Sequence, residues 1–163
     1  MFWGAFYWSS RTDLFALPGD PESKGKGITA RVILATLKAA LPKILEEGIF
    51  FIQDNAPTHQ AFIMQDWLAQ WAEEHGVEII DWPAYSPDLN PIENIWKLLK
   101  EKIMSDFPEL VDLPKNKVTL DKLIDAAERS WEALEDRVFQ AEIESMPRRM
   151  EAIIAARGWY TKY

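Results

Sequence analysis

The sequence GIFFIQDNAPTH, residues 48–59, decides which fold class the chain is expected to have. Its four consecutive apolar residues, 49–52, are typical of a strand that is buried on both faces within a parallel sheet. Asp54 follows this strand closely, and open α/β sheets bind their ligands at the carboxyl ends of their strands. We therefore expect Asp54 to lie at the edge of a sheet where ligands bind.

The segments around this strand predict a chain in which strands and helices alternate. In chain order the predicted elements are a β-hairpin over 2–19, a helix from Thr29, a strand over 49–52, a helix over 61–75, a strand over 77–81 and a helix from Asn90. This order is typical of a mixed α/β domain. The core is expected from the apolar faces of the first two helices, which contain Ile33, Leu37, Leu41 and Ile44 in one and Ile63, Met64, Trp67, Leu68 and Trp71 in the other.

The last part of the chain predicts helices alone. Thr119 is expected to cap the first of them, and a second helix is expected over 138–156 with a bend near Pro147. Gly158 is expected to end that second helix, since glycine is the usual residue just past a helix C-terminus.

Composition excludes several classes of protein. The chain has 163 residues, enough for one domain with a sizeable core. The absence of cysteine excludes a disulfide framework and a thiolate metal site, and no apolar run is long enough to span a membrane. The start, MFWGAFYW, lacks the basic segment of a secretory signal, so no targeting signal is evident and an intracellular protein is expected.

The net charge of −8 bears on the partners of the chain. Most sequence-independent affinity for nucleic acids comes from Lys and Arg on phosphates. We therefore expect weak or no DNA binding by this acidic chain alone, except at a site where a divalent metal reverses the local charge.

Two carboxylates are the candidates for chemistry, and each has an ordinary structural alternative. Asp54 is well placed to bind a hard cation such as Mg²⁺, but an Asp-Asn turn that caps the next helix is also common. Glu93 fits a capping box with Asn90 as the N-cap and Pro91 as the first helical residue. The segment between Asp54 and Glu93 contains one helix, one strand and a loop, so it can return the second carboxylate to the strand end of the first. Two carboxylates at such an edge suggest a two-metal phosphoryl-transfer site.

Two long motifs, QDNAPTH at 53–59 and WPAYSPDLNPIENIWKLLK at 82–100, resemble the catalytic domain of mariner-like transposases of the Tc/mariner superfamily. WGAF at 3–6, SMPRR at 145–149 and GWYTKY at 158–163 are also similar to this family, and the resemblance covers essentially the whole chain. It implies a ribonuclease H-like, retroviral integrase-like fold: a mixed sheet flanked by helices, with a C-terminal helical extension. The expected division is a catalytic core over 1–105 and an extension over 106–163 that packs on it.

The same resemblance implies a function and a set of site residues. The family's members are DDE endonucleases that cut and join DNA strands with Mg²⁺ or Mn²⁺, and nuclear localisation is implied with them. The family's second acid falls on Asp54 and its third on Glu93, as catalytic and metal-binding residues. Asp88 competes with Glu93 for the third place, but the motif makes it a residue of the turn. Residues implied to support the acids without binding metal are Asn55, His59, Asp88 and Asn90.

The family's first catalytic aspartate lies on a strand upstream of WGAF, and the chain has no counterpart of either. We therefore expect the first central strand to be missing, metal binding to be weak, and the chain to be inactive on its own. Either the N-terminal strand pairs with 49–52 to close the sheet, or a homodimer forms that buries the aromatic hairpin. The alternative function is a remnant or domesticated domain that acts through oligomerisation or partner binding. The remaining interpretation is a generic α/β domain in which Asp54 and Glu93 are two ordinary helix caps.

Overall fold

The computed structural model describes residues 1–8, 10–44, 48–83, 86–159 and 161–162. The chain forms two compact units. The N-terminal unit contains Met1–Trp3 and Leu17–Ser86, and the C-terminal unit contains Gly4–Ala16 and Pro87–Tyr163. The predicted division into 1–105 and 106–163 uses a different boundary and stays a prediction.

Strands and helices alternate before an all-helical final segment, so the predicted mixed α/β order is confirmed. The described elements are β1 (Phe2–Trp3), β2 (Phe6–Tyr7), β3 (Ser10–Arg11), β4 (Phe15–Ala16), α1 (Ala30–Ala40), β5 (Phe50–Phe51), α2 (Phe62–His75), β6 (Glu78–Ile79), α3 (Ile92–Asp106), α4 (Lys117–Glu132), α5 (Asp136–Glu144) and α6 (Met146–Ala155). Short 3-10 turns occupy Leu41–Lys43, Pro87–Leu89 and Pro108–Leu110. Among the described residues, no helix is both long and apolar enough to cross a membrane.

The core of the N-terminal unit lies between α1 and α2. The predicted face of α1 and the turn after it is confirmed, because Ile33, Leu37, Leu41 and Ile44 are all buried. On α2 the buried residues are Met64, Leu68, Trp71 and Ala72, whereas the predicted core residue Ile63 is exposed. Gly76 follows α2 in the left-handed conformation with a φ of 64°, so the predicted end of this helix at residue 75 is confirmed.

The central strand is shorter and less covered than expected. β5 pairs in parallel with β6, with Phe50 opposite Glu78 and Phe51 opposite Ile79, so the predicted parallel pairing is confirmed. The expected burial on both faces is wrong, because Phe50 is 61% exposed. Within the described part of this unit, the sheet of β5 contains β6 alone, so the alternative in which the N-terminal strand pairs with 49–52 is not seen there. A strand with a single neighbour has less protein around its side chains, which accounts for the exposure of Phe50.

The predicted hairpin is present, with β2 and β3 antiparallel in the C-terminal unit. Phe6 lies opposite Arg11 and Tyr7 opposite Ser10, and the Thr12 amide donates to the Ala5 carbonyl at 2.8 Å. Ser10 and Arg11 form the second strand of this pair, and Ser9 lies outside the described residues.

Trp131 is the centre of the core of the C-terminal unit. Its indole stacks on Trp96 of α3 with ring centroids 5.7 Å apart, and its edge meets Phe139 of α5 at 5.4 Å. The indole N–H donates to the Thr12 carbonyl at 2.8 Å, which satisfies the one polar atom of a ring that is otherwise buried. Three helices and the end of the hairpin therefore meet at one side chain.

Gly4 and Arg11 fit the hairpin to this aromatic centre. A Cβ at Gly4 would lie 3.1 Å from two ring carbons of Trp131, which explains why the close approach uses glycine. The Arg11 guanidinium donates to the carbonyls of Glu132 and Leu134 at 2.9 Å each, where α4 ends. Those carbonyls lack partners within the helix, so Arg11 satisfies them. Phe6 packs edge-on against Phe139, so part of the aromatic hairpin is covered within the unit.

Three predicted helix boundaries are wrong by a few residues. α3 begins at Ile92 with Pro91 in the N-cap position and no side-chain cap, so the capping box on Asn90 does not form. α4 begins at Lys117, and the Asn116 side chain accepts from the Thr119 amide at 2.9 Å, so Asn116 is the cap in place of Thr119. The helix expected over 138–156 is two helices, α5 and α6, and Pro147 lies in the first turn of the second, where proline is tolerated.

Asp20 organises the loop before α1. Its carboxylate accepts from the Thr29 hydroxyl at 2.6 Å, from the Arg31 guanidinium at 2.9 Å and from the Glu22 amide at 2.9 Å. Thr29 is in the N-cap position of α1 as predicted, but its hydroxyl is committed to Asp20 and does not cap the helix. The hydrogen bonds from Thr29 and then Arg31 hold the pKa of Asp20 below its ordinary value.

Replacement of Gly19 by alanine is expected to destabilise the N-terminal unit. An added Cβ would lie 2.2 Å from the Lys26 carbonyl oxygen, so the backbone of the loop would have to move. We expect a loss of about 1–3 kcal/mol in the free energy of unfolding, measured by urea denaturation. Gly25→Ala is the matched control, because nothing lies within 4 Å of its added Cβ. Equal losses in the two variants would contradict the close contact.

Stability is also expected to depend on the ionised form of Asp20. Because its folded-state pKa is lowered, the stabilisation is present above the unfolded-state value of about 3.9 and is lost as the pH falls through the folded-state value. Asp20→Asn should therefore lower the melting temperature at pH 7, and the difference from the wild type should shrink below about pH 4. Asp121→Asn, at an exposed position, is the control. A difference that stays constant from neutral to acid pH would contradict this role of the charge.

Candidate active site

Asp54 lies in the loop that leaves the end of β5. Its side chain is 52% exposed, and its Oδ1 accepts from the Ala56 amide at 3.1 Å. That bond makes the predicted Asp-Asn turn, but the turn caps no helix, since Ala61 is in the N-cap position of α2. In the described part of the chain, Oδ2 has no hydrogen-bond partner. The turn therefore holds one carboxylate oxygen and leaves the other open.

His59 contacts the same carboxylate. Its Nδ1 lies 2.6 Å from Asp54 Oδ1, and since an ionised carboxylate only accepts, Nδ1 carries the proton. The backbone around the ring is fixed as well: the His59 amide donates to the Ala56 carbonyl at 2.8 Å, and the Gln65 side chain donates to the His59 carbonyl at 2.8 Å. His59 thus fixes the orientation of Asp54 through hydrogen bonding.

Asn55 ties the loop after β5 to the segment after β6. Its side-chain amide donates to the Trp82 carbonyl at 2.6 Å, and its oxygen accepts from Gln60 at 2.7 Å. Trp82 is buried, so this contact anchors the loop to the core of the unit. The Asn55 side chain therefore joins the loop after β5 to the backbone of the segment after β6.

Glu93 is in the first turn of α3 and is exposed. Its amide donates to the Asn90 carbonyl at 3.2 Å, while its carboxylate has no hydrogen bond or ion pair among the described residues. A negative charge in the first turn is stabilised by the helix dipole. Asp54 belongs to the N-terminal unit and Glu93 to the C-terminal unit, so the convergence of the two carboxylates stays a prediction.

Asp88 and Asn90 shape the turn that precedes α3. The Asp88 carboxylate accepts from the Thr161 hydroxyl at 2.8 Å and from the Thr161 amide at 3.2 Å, and its carbonyl accepts from Arg149 at 2.8 Å. The Asn90 amide donates to the Pro87 carbonyl at 3.0 Å. The loop residues 84 and 85, which precede this turn, lie outside the described part of the chain.

Sequence reasoning assigned no role to Arg149, Glu142 or Thr161, although all three hold this turn. Arg149 and Glu142 form an ion pair in the core of the C-terminal unit. In the single helix predicted over 138–156, their spacing of seven would place the two opposite charges on one face, which is a signal for this pair. Within the described residues, no group of three or more His, Asp or Glu side chains is close enough to hold a metal ion.

Comparison with known proteins places the chain in a family. A family model described as DDE superfamily endonuclease matches residues 22–113. The chain is 35% identical over 116 residues to the transposable element Tc1 transposase of Caenorhabditis elegans, an alignment that covers 71% of this chain and 38% of that protein. It is 29% identical over 163 residues to the transposable element Tcb1 transposase of Caenorhabditis briggsae, covering 100% of this chain and 54% of that protein. This chain belongs to the DDE superfamily endonucleases, and its resemblance to Tc/mariner transposases is confirmed.

The fold has a counterpart among solved structures. The catalytic domain of Mos1 mariner transposase matches with a TM-score of 0.60 and 22% identity, covering 99% of this chain and 82% of that one. This likeness confirms the expected ribonuclease H-like fold. The chain spans about half or less of the length of the two curated relatives described above.

Proposed function

We propose that this chain supplies two metal-binding carboxylates, Asp54 and Glu93, to a site that cuts and joins DNA strands as transposases do. The carrying observation is that one oxygen of Asp54 and the whole carboxylate of Glu93 are without partners among the described residues, in a chain of the DDE endonuclease family. The relatives named above are transposases, which supports the reaction class.

The donor set suits a hard divalent cation. Carboxylate oxygens are the ligands that Mg²⁺ and Mn²⁺ prefer, and both candidate residues offer them. Mos1 transposase catalytic domain has been solved with raltegravir and Mn and with raltegravir and Mg, which supports the same choice of ions here. A bound cation of this kind stabilises the charge that develops on the attacking and leaving oxygens in phosphoryl transfer.

The neighbouring residues have supporting roles in this proposal. His59 orients Asp54 by its hydrogen bond to Oδ1, which leaves Oδ2 for the cation. Asn55 holds the loop against the Trp82 backbone. Asp88 is the competing third acid, but the motif makes it a residue of the turn, and its Oδ2 holds Thr161 by two hydrogen bonds. The Asn90 carbonyl accepts a hydrogen bond from the Glu93 amide and so helps to form the start of α3.

DNA is the proposed substrate, and the affinity of this chain for it should be weak. The net charge of −8 opposes binding to phosphates, so an added divalent cation should strengthen it. A Mos1 paired-end complex with the left transposon end supports DNA as the partner class. Nuclear localisation follows from a chromosomal DNA substrate and is part of the same proposal.

Assembly without catalysis is the second candidate function. Phe50 and Phe62 are exposed aromatic side chains of the N-terminal unit, and exposed apolar side chains of this size favour association. The homodimer stays a prediction. The contact of Phe6 with Phe139 partly covers the hairpin within its own unit, so less apolar surface is left to favour a dimer.

Metal titration tests the proposed site. We expect weak Mn²⁺ binding by the wild-type chain, measured by calorimetry, and a fall of at least about tenfold, or about 1.4 kcal/mol, in both Asp54→Asn and Glu93→Gln. Asp121→Asn, another exposed aspartate, should leave the affinity unchanged. Unchanged binding in either of the first two variants would refute a shared metal site. A polypeptide of these 163 residues is expected to produce no Mg²⁺-dependent nicking of duplex DNA, since it offers two of the three acids that the family uses.

A further inference from the structure

Arg149 is a buried charge at the centre of the C-terminal unit. It is 1% exposed, and its guanidinium contacts several groups of the described chain. The Nε donates to the Ser145 hydroxyl at 2.6 Å, Nη1 donates to the Asp88 carbonyl at 2.8 Å, and Nη2 pairs with Glu142 Oε2. One rigid side chain therefore connects α6, the end of α5 and the turn before α3.

Stability alone gives little reason for this arrangement. A buried ion pair loses its hydration, and replacement of such pairs by well-packed apolar residues is often neutral or stabilising. What the guanidinium provides is direction, because its donors lie in a fixed plane and reach several acceptors at once. A position that needs only to fill volume does not need such a group.

The contacts of Arg149 and Glu142 include residues on both sides of Glu93 in the sequence. The Asp88 carbonyl precedes Glu93, and the residue that follows it, Asn94, donates from its side chain to Glu142 Oε2 at 3.1 Å. The same carboxylate oxygen of Glu142 is paired with Arg149. Arg149 and Glu142 thus hold the chain before and after Glu93, a residue whose carboxylate has no partner among the described residues.

We infer that Arg149 is a positioning residue for Glu93, acting with Glu142 to fix the first turn of α3. The inference rests on the proposed function, since it takes Glu93 as a metal ligand. An unpartnered carboxylate on a surface turn samples many positions unless its backbone is fixed, and a metal ligand has to be held in place before the ion arrives. Arg149 and Glu142, together called the clamp, fix the backbone on either side of Glu93 and leave its carboxylate free for the cation.

The test uses a charge-free replacement that preserves volume. The double variant Arg149→Met with Glu142→Leu removes the ion pair without leaving a buried unpaired charge, so the chain is expected to fold. Its Mn²⁺ affinity should fall about 10–100-fold, which is the usual effect of removing a group that orients a metal ligand. The matched control is Arg129→Met with Asp125→Leu, which removes an exposed ion pair of α4 and should leave the affinity unchanged.

Amide hydrogen exchange provides a second readout that does not depend on metal. The amides of Asn90 and Glu93 donate to the carbonyls of Pro87 and Asn90. They should exchange faster in the Arg149→Met, Glu142→Leu variant, while the core amides of α4 are unaffected. If exchange increases but the Glu93→Gln variant still binds metal normally, the clamp stands and the proposed function fails.

Arg149→Lys covers the case in which the double variant does not fold. Lysine keeps the charge that pairs with Glu142 but lacks the planar fork that also reaches Asp88 and Ser145. We expect it to fold, with faster exchange at Asn90 and Glu93 and weaker Mn²⁺ binding. A folded variant, double or Lys, with wild-type exchange at these amides and wild-type metal affinity would overturn the inference.

Discussion

The contact between the Trp131 indole and the hairpin is the constraint on which the C-terminal unit depends. The ring has one polar atom, and that atom finds the Thr12 carbonyl, so the orientation of the whole indole is fixed. Trp96 stacks on one face of it, and this brings α3 into the same core. The first turn of α3 carries Glu93, so the stacking of Trp96 and the contact of Arg149 with Asp88 both act on the part of the backbone from which that carboxylate extends.

In the N-terminal unit, hydrogen bonds of polar side chains hold the loops in place. Asp20 accepts hydrogen bonds from Thr29 and Arg31 at the start of α1. Asn55 joins the loop after β5 to the Trp82 backbone after β6. The parallel pair of β5 and β6 is short, and the Asn55 hydrogen bond adds a link between the segments that follow the two strands. Asp54 is therefore placed by a loop of defined hydrogen bonds at the end of a brief strand. This suits a ligand site, which needs fixed geometry more than it needs a long sheet.

Much of the fold could be predicted because its signals are local. The apolar face of α1, the glycine after α2 and the parallel pairing of the central strand follow from periodicity and from conformational preference. The cap of α4 could not be assigned in this way, because Asn116 and Thr119 are both good caps and the hydrogen bond between them decides which one acts. The exposure of Phe50 was missed because it depends on how many strands join β5.

Prediction of the candidate site from the sequence has the same limit. Asp54, Asn55, His59 and Glu93 were found because they lie in two long motifs that resemble a family. Arg149 lies within a third motif, yet its contact with the turn before α3 depends on the Asp88 carbonyl, which is distant in the sequence and becomes its neighbour only on folding. Buried polar networks are difficult to predict from sequence because each member is chosen for partners that periodicity does not reveal.

Crystals of the chain grown with Mn²⁺, with diffraction collected at the manganese edge, test most directly whether Asp54 and Glu93 form one metal site. The expected result is an anomalous peak bound by oxygen atoms of both carboxylates, which are the ligands that a hard divalent cation prefers. A peak bound to one carboxylate alone, or carboxylates that lie on opposite faces with no shared ion, would contradict the shared site.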